Sequence, residues 1–221
     1  MKRNRWLVAL SAVGIHICIG SVYAWSVLTK PVMAAMGLSL GQTTWAFSIA
    51  ILFLGLSAGF LGGFVERMGP SRSGLLSACF FALGMLGTGY AISVKSMPLL
   101  YLFYGFIGGI GLGTGYITPV STLVKWFPRH RGFATGMAIM GFGFAALIAG
   151  PVMQHLTAAY GLVNNFLIMG CVYFVIMCAS ASYLRPPRKG EIKQSLEDVL
   201  KEEAARGNKR TILGPQMTRR E

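Results

Sequence analysis

Long apolar stretches without Lys, Arg, Asp or Glu alternate with short charged segments along this chain. The uncharged runs cover residues 6–29, 31–65, 73–94, 96–124 and 132–184. Stretches such as 49–60 and 80–86 have no polar face, so the periodicity of a soluble amphipathic helix is missing. A crossing needs about 20 apolar residues for roughly 30 Å of hydrocarbon. The last run is interrupted by polar and turn-forming residues near 154–155 and 160–165 and is long enough for two crossings, so the pattern predicts six transmembrane helices.

These helices are predicted at residues 6–28, 43–65, 73–92, 98–124, 132–155 and 165–184. Pro31 is expected to mark the end of the first helix, because proline interrupts helical hydrogen bonding. Residues 1–184 thus form an all-α membrane bundle, and 185–221 form a basic tail. Within the tail, residues 191–206 carry one apolar stripe, which predicts a short amphipathic helix on the membrane surface or against the helix ends.

The charges are distributed very unevenly. There are 20 Lys and Arg residues against seven Asp and Glu, giving a net charge of +13. Only Lys30 and Lys95 fall on one predicted side of the membrane, and all the others fall on the opposite side. By the positive-inside rule both chain ends face the cytoplasm, in a plasma or inner membrane. The basic charge therefore indicates topology and contact with membrane lipids, not binding of nucleic acid.

Little in the sequence suggests reaction chemistry. The four cysteines all fall inside predicted spans, where they are interpreted as small apolar residues. No His or carboxylate cluster accompanies them, so we predict no metal site. The sequence has no nucleophile–base set and no phosphate-binding loop, so we predict neither an enzyme nor a cofactor.

Glycines recur at every fourth position in two of the predicted helices. One set is Gly55, Gly59 and Gly63, and a second set occupies positions 105, 109 and 113. Such stripes let helix backbones approach closely in lipid, where no hydrophobic drive pulls helices together. We therefore expect both stripes to pack against neighbouring helices, or to permit sliding between them.

The turn between the second and third predicted helices reads GGFVERMGPSR at residues 62–72. Gly69 can take the positive φ that a short turn needs. Glu66, the only acid before the tail, lies near the start of the next helix, where negative charge is favoured. The pattern of Gly62, Glu66-Arg67, Gly69 and Arg72 resembles the signature of the major facilitator superfamily, where it helps to hold the cytoplasmic gate. Here Glu stands where Asp is commoner.

Three further motifs are more specific. They are GSVYAWS at residues 20–26, GLGTGY at 111–116 and KWFPRHRG at 125–132. Together they are similar to the oxalate/formate antiporter family, and the similarity extends over residues 5–184. That branch moves small carboxylates such as oxalate, formate and lactate. A Gly-Pro at 150–151 partially matches the superfamily's antiporter-associated motif. The resemblance implies the N-terminal six-helix half of a major facilitator fold, with inverted 3+3 repeats, in a secondary transporter that works by alternating access.

The same resemblance implies candidate substrate-binding residues. Tyr23, Trp25 and Tyr116 match aromatic positions near the family's central cavity, and Phe142 falls where oxalate-transporting members carry Tyr. A tyrosine hydroxyl can donate to a carboxylate, and ring faces can shape a slot for a small planar anion. The alternative is that Trp25 and Phe142 only pack. The missing hydroxyl at Phe142 favours a monocarboxylate such as lactate or formate over oxalate.

His16 is the one side chain well inside a span that can change charge near neutral pH. Ionisable groups at that depth are candidates for function, so a role in proton relay is one hypothesis. The other is a neutral His that is hydrogen-bonded to a neighbouring helix, since no carboxylate lies deep in the predicted spans.

A carboxylate inside the membrane needs a positive partner, because burying an unpaired charge is costly. No Lys or Arg lies deep in these helices, and in the family the cationic anchors sit on the second half. Residues 214–221 look like the approach to a seventh helix. We therefore expect a half-transporter whose C-terminal six-helix half is supplied in cis or in trans. The alternatives are a self-contained six-helix protein that pairs with a separate subunit or with itself, and a non-transporting assembly or sensor subunit.

Overall fold

A computed structural model describes residues 4–128 and 130–187 of the chain. In this part, six helices are long and apolar enough to cross a membrane and no β-strand occurs. They are α1 Arg5–Met36, α2 Leu40–Met68, α3 Pro70–Ser93, α4 Met97–Trp126, α5 Arg131–Tyr160 and α6 Leu162–Tyr183. The prediction of an all-α membrane protein with six spans is confirmed. The amphipathic helix predicted at 191–206 lies outside the described residues.

The helices begin and end at different residues from those predicted, most clearly in α1. This helix continues through Pro31 to Met36 and ends at Gly37, whose φ of +68° forms a left-handed cap. The prediction that Pro31 ends the helix is wrong. Proline removes one backbone hydrogen bond, and membrane helices tolerate that loss when neighbouring elements support the chain. The glycine cap, rather than the proline, stops the helix.

Two helices depart from α geometry along their length. In α1, residues Ser21–Ala24 form a short 3₁₀ turn. In α4, residues Tyr101–Ile107 form a π-helical segment. Such irregular segments rotate the side chains that follow them relative to a regular helix, and π segments are common at functional sites. Both therefore influence which residues of α1 and α4 meet.

The turn between α2 and α3 is a single residue, Gly69. Its φ of +86° is a conformation that side chains with a Cβ rarely adopt. Gly69 ends α2, and Pro70 opens α3 at the first helical position, where its missing N–H costs nothing. Because both helices are long enough to cross the membrane, this short turn joins two consecutive crossings that run in opposite directions.

The helix contacts follow an inverted repeat. The most extensive packing joins α3 and α6, α1 packs against α5 and α6, and α4 packs against α2 and α3. Exchanging α1 with α4, α2 with α5 and α3 with α6 maps this set of contacts onto itself. Two inverted three-helix units are therefore joined in the way that membrane transporters build one half of their fold.

The two glycine stripes have different surroundings. The stripe at 105, 109 and 113 lies directly against α2, and a Cβ on Gly109 would come within 2.6 Å of Phe53 Cβ. In contrast, a Cβ on Gly55, Gly59 or Gly63 would meet nothing within 4 Å in the described part of the chain. The packing expectation is confirmed for the α4 stripe and not for the α2 stripe, which is open.

Candidate functional site

Four of the residues singled out in the sequence form one aromatic cluster, defined here as His16, Tyr23, Tyr116 and Phe142. Phe142 lies at its centre, with ring centroids 5.2 Å from Tyr23, 5.3 Å from Tyr116 and 6.0 Å from His16. His16 and Tyr116 are stacked with centroids 5.4 Å apart. The cluster thus joins α1, α4 and α5.

The cluster has an exposed side and a buried side. Tyr23 is 43% exposed, while Phe142 is 8% exposed and His16 is fully buried. Tyr116 is half-buried, and Phe47 of α2 lies beside Tyr23 with centroids 6.3 Å apart. The phenols of α1 and α4 therefore lie towards the surface, above a floor made by Phe142 and His16.

A glycine in α1 makes the cluster possible. A Cβ on Gly20 would overlap the carbonyl oxygen of Phe142 and lie 2.7 Å from the Cβ of Ala145. Without a side chain at Gly20, α5 lies directly against α1 at this level. The backbone of Phe142 consequently lies against Gly20, the residue directly before the 3₁₀ turn that carries Tyr23.

His16 bridges three helices through main-chain atoms. Its Nδ1 lies 2.7 Å from the carbonyl oxygen of Ala138 on α5. Its Nε2 lies 3.1 Å from the carbonyl oxygen of Tyr116 on α4. The partners are backbone oxygens from two different helices, so the ring position is fixed from both sides.

Trp25 is not part of this cluster. It is 4% exposed and packs against Tyr104 with centroids 4.1 Å apart and the rings tilted by 34°. Both rings line a small internal cavity of the bundle that also touches Phe81 and Phe166. Trp25 follows Tyr23 by two positions, about 200° around a helix, so the two side chains fall on opposite faces. The position of Trp25 agrees with the packing alternative.

The turn motif lies at the end of the bundle where the charged loops meet. Glu66 Oε1 accepts from Lys125 Nζ at 3.4 Å, which ties α2 to the end of α4. Among the described residues, Lys125 is the cation that pairs with Glu66. Arg67 and Arg72 of the motif are exposed. Both partners are more than half exposed, so the pair contributes about 0.2–1 kcal/mol at most.

Other contacts close the same end. The Trp126 indole N–H donates to the carbonyl oxygen of Arg185 at 2.8 Å, and Trp6 packs edge-on against Phe127 with centroids 5.6 Å apart. Gly62 of the motif lies beside α4, where a Cβ would be 3.7 Å from Ile117. The starts and ends of α1, α2, α4 and α6 therefore meet where the sequence concentrates its basic residues.

Sequence reasoning missed two of these partners. In the sequence, Lys125 is a basic loop residue and the start of the 125–132 motif, and nothing there pairs it with Glu66, although both fall in loops at the same predicted membrane face. Tyr104 carried no signal, because its contact with Trp25 depends on the π-helical segment of α4.

The site has no features of a metal centre. Within 4–128 and 130–187, no group of three or more His, Cys, Asp or Glu residues lies close enough to hold a metal ion. The chemistry available is hydrogen bonding from phenols, aromatic contact and one buried imidazole. Such groups can contact a small molecule through hydrogen bonds and ring faces.

A bundle of two inverted three-helix units is the architecture from which helical membrane transporters build half of their fold. A family model described as Major Facilitator Superfamily matches residues 9–217. The chain belongs to the major facilitator superfamily; it is a multi-pass membrane protein of a transporter family and not an enzyme.

Several curated proteins are similar to it. The uncharacterised transporter YhjX of Escherichia coli is 28% identical, covering 88% of this chain and 48% of YhjX. Human monocarboxylate transporter 14 is 28% identical, covering 84% of this chain and 36% of its own length. The oxalate:formate antiporter of Oxalobacter formigenes is 28% identical, covering 86% of this chain and 45% of the antiporter. The chain thus spans about half, or less, of these relatives.

The fold has a solved counterpart as well. The xylose transporter XylE from Escherichia coli, in an inward-open conformation, matches 94% of this chain and 56% of its own with a TM-score of 0.66. The sequence identity is 15%, so the match concerns the fold alone. The prediction of half of a major facilitator fold is confirmed.

Proposed function

We propose that this chain is the N-terminal half of a secondary transporter for small carboxylates, and that it works by alternating access with a second six-helix half in cis or in trans. Within the carboxylates we favour a monocarboxylate such as lactate or formate. The names of two relatives, a monocarboxylate transporter and an oxalate:formate antiporter, support the substrate class.

The observation that carries the proposal is the aromatic cluster. It offers two phenols, Tyr23 and Tyr116, around a ring floor on which Phe142 supplies no hydroxyl. A phenol donates to a carboxylate oxygen, and hydrogen bonds to a charged group contribute about 1.5–3 kcal/mol each. Two donors suit one carboxylate. A second carboxylate, as in oxalate, would face the Phe142 ring without a donor there.

Open glycine faces support the need for a second half. Gly55, Gly59 and Gly63 on α2 have no neighbour within 4 Å among the described residues, and the same holds for Gly136 and Gly143 on α5. In lipid such faces are typical of close helix–helix contact. Helices α2 and α5 are equivalent in the inverted repeat, so a second half that covers one is expected to cover the other.

The membrane orientation is also a proposal. The basic loops meet at the end of the bundle that contains Glu66 and Lys125, while Lys95 lies at the opposite end. The positive-inside rule then puts both chain ends in the cytoplasm of a plasma or inner membrane.

The test is counterflow in proteoliposomes that contain the chain together with a second six-helix half, taken from coding sequence that continues or accompanies this gene. Labelled lactate and formate should exchange, and oxalate should exchange less. Tyr23→Phe and Tyr116→Phe should each lower apparent affinity about tenfold or more, since each loses a hydrogen bond to a charged group. Tyr90→Phe on α3, exposed and outside the cluster, is the matched control.

The second half is tested separately. The chain alone should not exchange any of the three anions, and Gly59→Leu should prevent its association with the second half without destabilising the chain itself. Exchange by the chain alone would favour the self-contained alternative. Failure of all three anions in the assembled transporter would reject the carboxylate class.

A further inference from the structure

The hydrogen-bond partners of His16 fit its doubly protonated form. Both ring nitrogens face carbonyl oxygens, Ala138 O at 2.7 Å and Tyr116 O at 3.1 Å. A carbonyl oxygen only accepts, and neutral imidazole has a single N–H. In the neutral form one carbonyl therefore faces a nitrogen lone pair. Only the imidazolium can donate to both oxygens at once.

Burial opposes that charge. His16 is fully buried, and an unpaired charge in such a place is costly. No Lys, Arg, Asp or Glu lies in the spans at this depth, because residues 6–29, 96–124 and 132–184 contain none. Two hydrogen-bond acceptors are thus in place for an imidazolium, while the surroundings lack a negative charge that would stabilise this cation.

The titratable side chains around His16 are those of tyrosines and cysteines. The ring of Tyr116 on α4 stacks on it at 5.4 Å, and from α5 the closest ring is Phe142, which does not titrate. His155, on α5, lies 17 positions after Ala138, about 25 Å along the helix axis. The titratable groups on α6, which also packs against α1, are Cys171, Tyr173, Cys178 and Tyr183. On α1 itself they are Cys18 and Tyr23, with Arg5 and Lys30 towards its two ends, about 16 and 21 Å from His16 along the axis.

We infer that His16 is a proton-binding site that supplies this half with its positive charge when a carboxylate binds on the exposed side of the aromatic cluster. The inference rests on the proposed function. The proton enters one ring nitrogen, and the carboxylate remains ionised. Its negative charge offsets the burial cost of the imidazolium, which then donates to both carbonyls and ties α1 to α4 and α5.

Linkage makes this coupling reciprocal. If the anion favours protonation of His16, then protonation favours the anion by the same factor. Coupling between sites is typically about 5- to 150-fold, so lactate should bind on the order of tenfold or more tightly at pH 5.5 than at pH 7.5. Lactate itself stays ionised over this range, since carboxylic acids titrate near pH 4.

The experiment measures binding of labelled lactate to the assembled transporter at both pH values. We expect tighter binding at pH 5.5 in the wild type and in His155→Gln, an exposed histidine on α5 that serves as control. His16→Gln should bind with the same weak affinity at both pH values. Like neutral imidazole, its amide presents an N–H donor on one side and an acceptor on the other, and it cannot gain the proton.

A second measurement needs no substitution at His16. In His130→Gln/His155→Gln, the remaining histidine is His16, and ¹⁵N NMR of its ring distinguishes neutral from doubly protonated imidazole. Saturating lactate should increase the doubly protonated fraction at fixed pH. Lactate that binds while the ring stays neutral, or equally at both pH values, overturns the inference and leaves the proposed function intact. Absence of lactate, formate and oxalate binding at both pH values rejects the proposed function and the inference together.

Discussion

Gly109 on α4 and Gly59 on α2 occupy equivalent places in two four-residue glycine repeats, yet their surroundings differ. A Cβ on Gly109 would lie 2.6 Å from Phe53 Cβ and 2.8 Å from the Ala50 carbonyl oxygen, while a Cβ on Gly59 has open space in the described residues. Because the atoms against Gly109 are a Cβ and a main-chain oxygen, no flexible side chain can move aside. We therefore expect Gly109→Ala to push α4 away from α2.

The magnitude follows from two terms. Replacing glycine by alanine inside a helix favours the helix by about 0.8–1 kcal/mol in water, and this term is common to both variants. Overpacking adds a cost of about 1–3 kcal/mol to Gly109→Ala alone. The two variants should therefore differ in free energy of unfolding by about 1–3 kcal/mol, with Gly59→Ala the more stable.

The assay is reversible unfolding of the purified chain in mixed micelles, with increasing SDS and detection by tryptophan fluorescence. Trp25 reports on the bundle interior because it is buried against Tyr104. Equal unfolding free energies for the two variants, or a less stable Gly59→Ala, would refute the assignment of one stripe to packing and the other to an open face.

Three further predictions concern substrate, packing and topology. Phe142→Tyr adds a donor to the cluster floor and should raise the ratio of oxalate to lactate counterflow; an unchanged or lower ratio would contradict the role of this position in selectivity. Trp25→Phe removes a buried indole N–H that lacks an acceptor among the described residues and should leave the lactate KM unchanged, with unfolding altered by about 1 kcal/mol at most; a large KM increase would return Trp25 to the binding site. In a cysteine-free background, an impermeant thiol reagent outside the cell should label Lys95→Cys and not Arg72→Cys, and the reverse would invert the topology.

The number of spans is predictable from the sequence because bilayer thickness sets the length that an uncharged run needs, whatever packs beside it. Helix ends were harder, since they depend on caps. Pro31 is a strong sequence signal for a helix end, yet α1 continues through it. The helix ends at Gly37, which adopts a positive φ. Hydropathy measures how apolar a segment is, but it does not register which residue adopts the left-handed conformation.

The aromatic cluster came from sequence only in part. Family resemblance points to Tyr23, Tyr116 and Phe142, and the structure brings them together; their role in binding stays a prediction. Their mutual distances depend on Gly20, whose importance is visible only once α5 is seen against it. The direction of side chains is what the motif predicted least well. The motif groups Trp25 with Tyr23, although residues two positions apart on a helix point to nearly opposite faces.

The positions of these residues along α1 explain how the cluster is held. His16 is fixed to α4 and α5 by the Tyr116 and Ala138 carbonyl oxygens, and Trp25 is fixed to α4 by the ring of Tyr104. Tyr23 lies between these two attachments, on the opposite face from Trp25. Its backbone is therefore constrained on both sides while its ring remains exposed. If Tyr23 donates to the anion as we propose, its backbone is already ordered before binding, so more of the hydrogen-bond energy is retained as affinity.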